Sequence, residues 1–155
     1  MIFLVSSILI TLAVFIMMPK NLTYVEIYTT SLFAIVFQLL TDIHLEFKYN
    51  LYGYFEEGVD YKTLLVIFFI YPLFSSIYLN HFPYHRKKLI KLLYIIAWTI
   101  SSLCYEYSSV LTGVFYYNNW KLGYSALIYP IVYLMIYGNL IFIRKLFSLN
   151  KNTDI

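Results

Sequence analysis

The chain has 155 residues, of which 61% are hydrophobic and 12% charged, with a mean hydropathy of +0.71. A soluble domain carries about 25% charged residues and could not hide so much apolar surface at this length, so the bilayer is the expected solvent. The net charge of +3 is too small to point to nucleic acid, and the single cysteine, Cys104, excludes an intrachain disulfide and a cysteine-rich zinc site. Cys104 itself reads as a small buried hydrophobe.

Five stretches approach the roughly 20 apolar residues that a spanning helix needs. The first, about 2–18, lacks a positive leader and a small-x-small cleavage site, so it reads as an uncleaved span. The second, about 24–46, ends in "LLTDIHLEF". Asp42, His44 and Glu46 look like a ligand set, but on a helix Gln38, Asp42 and Glu46 share one face while His44 lies about 200° from Asp42. Convergence on one metal would need a strand, and lipid forbids a lone exposed strand. Asp42 and Glu46 therefore read either as a pair facing a pocket or as charges at the headgroups.

The third stretch, about 62–81, contains Tyr71-Pro72 and Ser75-Ser76; the fifth, about 122–143, contains Ser125, Tyr129 and Pro130. Either proline is expected as a tolerated kink. The fourth, about 89–112, holds Glu106 well inside its end, where an ionisable group costs up to about 2.5–3.5 kcal/mol. At helical spacing Trp98, Ser102 or Ser101, Tyr105 and Ser109 join Glu106 in a polar and aromatic stripe, which should face other helices or a wet cavity. Between the fourth and fifth stretches the loop 112–125 carries an Asn118-Asn119 turn signal and Lys121, the nearest cation in sequence to Glu106 on that side. If this loop folds down, Lys121 is placed to pair with Glu106.

The expected fold is an all-α, polytopic bundle of five spans, with residues 1–147 a single transmembrane domain and 148–155 a short tail. Arg86, Lys87, Lys88 and Lys91, together with Arg144, Lys145, Lys151 and Lys20, put eight of the eleven basic residues on one side. The other side has Lys48, Lys62 and Lys121, with Glu56, Glu57 and Asp60. This bias orients the N-terminus outside and the C-terminus in the cytoplasm. Aromatics near the span ends, among them Tyr49, Tyr52, Tyr54, Phe55, Tyr116, Tyr117 and Trp120, read mostly as an interfacial belt. Shared side and depth make Gln38, Asp42, Glu46, Trp98, Tyr105, Glu106, Tyr116, Tyr117, Trp120 and Lys121 the candidate lining of one outward-facing pocket.

Two segments suggest a family: "FQLLTDIHLEFKYNLYGYFEEGVDYKTLLVIFFIYP" and "YIIAWTISSLCYEYSSVLTGVFYYNNWKLGYSALIYP". Over roughly residues 32–140 the chain resembles the CBO0543-type small membrane proteins of spore-forming Gram-positive bacteria. The resemblance implies a small multi-pass protein of the bacterial cytoplasmic membrane and carries over no activity, substrate or catalytic residue.

Three functions fit. The first is a non-enzymatic binding or assembly component, with the lipid bilayer and a membrane protein or a second copy as partners. The second is a transporter or channel subunit using Glu106 for a proton or cation; against it, the fourth span is apolar between Lys91 and Trp98 except for Tyr94. The third is an enzyme acting on a lipid or isoprenoid; against it, no nucleophile–base pair and no metal or cofactor motif is present in the sequence. His81 and His85 lie in the basic loop and read as part of the positive charge there. The orientation is directly testable: a reporter active only in the cytoplasm, fused after Ile155, is expected to be active, and activity confined to an externally active reporter would contradict it.

Overall fold

The five apolar stretches are helices in the computed structural model, which describes residues 1–56 and 60–151. They are α1 (Ile2–Met17), α2 (Tyr24–Asp42), a rod made of α3 (Tyr61–Leu65) and α4 (Tyr71–Asn80), α5 (Lys88–Leu111) and α6 (Leu122–Lys151). A π-helical turn, Ile43–Lys48, prolongs α2, and another, Val66–Ile70, joins α3 to α4. Tyr24–Lys48, Tyr61–Asn80, Lys88–Leu111 and Leu122–Leu149 are each long and apolar enough to cross a membrane. The chain is a multi-pass membrane protein built as an all-α bundle. The fifth expected span runs on past residue 143, so the expected tail begins as helix; residues 152–155 of that tail, and Glu57, lie outside the described residues.

At 16 residues α1 is about 24 Å long, short of the roughly 30 Å hydrocarbon core. It packs beside the α3–α4 rod, and among the described residues four helices, not the five expected, reach spanning length. Near its start Leu4 is fully buried against Tyr52, Tyr54 and Val114, and Ser7 Oγ meets Tyr105 Oη at 3.0 Å. Past its end the chain is held by Asn80 at the close of α4. Asn80 Oδ1 accepts from the Asn21 amide at 2.7 Å, and its Nδ2 donates to the Pro19 carbonyl at 2.9 Å. Asn21 Nδ2 in turn donates to the Asn80 carbonyl at 3.0 Å.

Local chemistry sets the helix ends. Thr23 and Glu26 form a reciprocal capping box at the start of α2. Glu26 also accepts from Arg144 Nε at 2.6 Å, tying the start of α2 to the last third of α6. Pro72 has no amide to donate to the turn before it, which is where the rod turns π-helical. Pro130 lies inside α6 without ending it. Away from the carboxylates the bundle is filled by rings: Tyr78, fully buried, lies 4.6 Å from Tyr133, 5.5 Å from Tyr94 and 5.7 Å from Trp98 between centroids.

A two-stranded antiparallel ribbon, absent from the sequence expectation, closes one end, hairpin-like in shape though its strands come from two separate interhelical loops. β1 (Tyr52–Tyr54) pairs with β2 (Phe115–Tyr117), Gly53 opposite Tyr116. A Cβ at Gly53 would run into the outer end of the Tyr116 ring, which would have to shift to admit it. The π-helical end of α2 leads into β1 through Asn50 at φ 47°, a left-handed closure that asparagine tolerates. The Leu51 carbonyl then accepts from the amides of Asn118, Asn119 and Trp120 at 2.9–3.0 Å, pinning the α5–α6 loop onto the α2–α3 loop. The hairpin corrects the belt expectation: Tyr52 and Tyr54 are 6% and 3% exposed, because strand pairing turns them into the bundle. Cys104 is likewise corrected, being exposed on α5 opposite the face that carries the buried residues.

Replacing Asn80 by alanine removes both side-chain bonds to the α1–α2 connection and leaves their partners unpaired. A loss of about 2–3 kcal/mol is expected, read by denaturant titration in mixed micelles. A change below about 0.5 kcal/mol would show that the Asn80 side chain does not hold the α1–α2 connection.

Candidate functional site

Along α5 the buried positions are Ile95, Thr99, Ser102, Glu106 and Ser109. Their spacing of four, three, four and three is one helical face. Ser102 is on it and Ser101 is exposed, which resolves the choice the sequence left open. This face meets α6, where Ser125, Tyr129 and Tyr133 recur four residues apart. The two helices are joined by hydroxyls: Ser102 Oγ and Tyr133 Oη are 2.5 Å apart.

Glu106, 6% exposed, sits at the centre of this seam. Its Oε1 accepts from Tyr117 Oη at 2.5 Å and from Ser125 Oγ at 2.7 Å. Its Oε2 accepts from Tyr129 Oη. Trp120 Nε1 donates to Ser125 Oγ at 2.8 Å, so the indole orients the serine that faces the carboxylate. Burial, and then the bond to Glu106, raise the Tyr117 phenol above its ordinary pKa, which keeps it a donor. A carboxylate offers about four acceptor positions and three are filled. The loop does fold down onto Glu106, but with Tyr117. Lys121 is exposed, and among the described residues no ion pair joins it to Glu106.

A second acidic group lies at the end of α2. Asp42 is 2% exposed and Glu46 7%, so neither is an ordinary headgroup charge. Asp42 Oδ1 accepts from Gln38 Nε2 at 2.7 Å and Tyr52 Oη at 2.9 Å, while the Tyr54 amide faces Glu46. Among the described residues nothing donates to Asp42 Oδ2 or Glu46 Oε2. His44 points away, its Nδ1 2.8 Å from the Leu40 carbonyl, in keeping with the helical geometry. The network continues from Gln38 to Tyr54 Oη at 3.3 Å and from there to Tyr71 Oη at 2.7 Å. Tyr71 lies in electrostatic reach of both Asp42 and Glu106.

Between these two groups is a partly open cavity of about 190 Å³, lined by α2, the α3–α4 rod, α5, α6 and the hairpin. Gln38, Tyr105, Glu106 and Trp120 line it, as do Tyr71 and Tyr129. The remaining candidates lie around it. Asp42 and Glu46 stand one layer back, behind Gln38 and Tyr52. Tyr117 grips Glu106 from the hairpin, and Tyr116 covers Gly53. Trp98 belongs to the aromatic packing around Tyr78. In the sequence Ser125, Tyr129 and Tyr71 stand out only as companions of prolines. Their offset in register from Glu106 and Asp42 becomes visible only once the helices are paired. Tyr52 and Tyr54 carry no signal in the sequence that separates them from an aromatic belt. No family model, curated protein or solved structure matches this chain.

Proposed function

We propose that this chain is a small binding component of the bacterial cytoplasmic membrane, of the CBO0543-type group, that takes a small ligand into the cavity beside Glu106. The N-terminus is outside, the hairpin end faces outward, and the protein acts with the bilayer and a membrane partner or second copy around it. The observation that carries this reading is a buried carboxylate held by three hydroxyls at the wall of a 190 Å³ cavity. Such convergence of a few polar groups in an otherwise apolar and aromatic space is what orients a ligand.

One observation favours binding over transport. A path from Glu106 would have to pass the Tyr78, Trp98 and Tyr133 rings, which pack against one another across the bundle.

Native mass spectrometry of protein extracted in mild detergent tests the reading. Wild type is expected to carry a small molecule that is lost when the cavity is filled by Ala34→Phe, a position 6% exposed on its α2 wall. Wild type that is always empty, or a molecule kept equally by the filled variant, would contradict it.

A further inference from the structure

The cavity wall has an unusual charge balance. One carboxylate, Glu106, lines it, and Asp42 and Glu46 stand one layer behind, each with an oxygen that no described residue reaches. Among the described residues no lysine, arginine or histidine lines the cavity. The ion pairs lie elsewhere: Arg144 with Glu26 at the far end, and Lys62 with Glu56 and Asp60 at the hairpin end. Any charge on these carboxyl groups is negative, and among the described residues no base balances it in the wall.

The rest of the wall is aromatic. Tyr52, Tyr71, Phe74, Tyr105, Trp120 and Tyr129 all contribute to it. Ring faces attract a cation electrostatically, most strongly when water is excluded, and a cage of rings beside an acid is the arrangement that recognises alkylammonium groups. Hydroxyls occupy three of the roughly four acceptor positions of Glu106, leaving about one for a further donor or a close positive charge. An anion would meet three carboxyl groups and, among the described residues, no base in the wall. A cation would supply the counter-charge that the wall lacks.

We infer that the cavity takes a small organic cation, an alkylammonium group, with its charge between Glu106 and the aromatic faces. This rests on the reading of the cavity as a ligand site and names the class of ligand. The same group occurs on free amines and on lipid heads, and the chemistry of the wall suits either source.

Titration calorimetry on the wild-type protein in detergent separates the possibilities, with choline and its uncharged carbon isostere 3,3-dimethylbutan-1-ol as probes. Choline is expected to bind at least tenfold more tightly than the alcohol, and Glu106→Gln is expected to remove most of that preference. Dihexanoyl phosphatidylcholine below its micelle concentration identifies the source: tighter than choline assigns the lipid head, weaker assigns the free amine, and either supports the inference. Equal or tighter binding of the alcohol would overturn the cation inference while leaving the pocket standing. Absence of saturable binding for all three probes would overturn both. Because the choline–alcohol comparison is made on wild type, it holds even where Glu106→Gln fails to fold.

Discussion

A carboxylate inside an apolar bundle is tolerable only if the chain brings it donors, and the hairpin end of this protein is organised around that requirement. Glu106 receives a hydroxyl from the hairpin and two from α6. Each engages an oxygen that would otherwise be desolvated without compensation. The partners come from two parts of the chain beyond α5, so the bonds also define how α6 and the loop sit. Ser102 with Tyr133 repeats the device one turn further along the same seam.

The hairpin follows from the same constraint. Its strands are three residues each, too short to stand alone in water. They persist because Tyr117 is bound to Glu106, Tyr52 to Asp42, and three amides to the Leu51 carbonyl. The two acidic groups thus hold the two strands from opposite sides, and the cavity is the space left between them. Among the described residues its wall is ring-lined and base-free, because tyrosine, serine and glutamine donate to Glu106 and to Asp42 Oδ1 in place of lysine or arginine.

Much of the architecture was legible in the residues. Hydropathy located all five helices to within a few residues at most ends, and helical periodicity separated His44 from Asp42 and Glu46. The same periodicity put Glu106 on a buried face with Ser109. Three features were harder to see. The hairpin depends on pairing across more than 60 residues of sequence, and its strands hold no run long enough to stand out from an aromatic belt. The donors to Glu106 depend on the register between α5 and α6, which no single-helix pattern fixes. The Glu26–Arg144 pair was hidden because Arg144 counted toward the positive-inside bias while Glu26 belonged to a different span. The Thr23–Glu26 spacing that caps α2 was there to be read.

Glu106 and its hydroxyl donors form one energetically coupled unit. A double-mutant cycle between Glu106→Gln and Tyr129→Phe, read as unfolding free energy in mixed micelles, is expected to give a coupling energy of about 1.5–3 kcal/mol, the worth of hydrogen bonds to a charged group. Effects that add to within about 0.5 kcal/mol, as independent sites do, would contradict it.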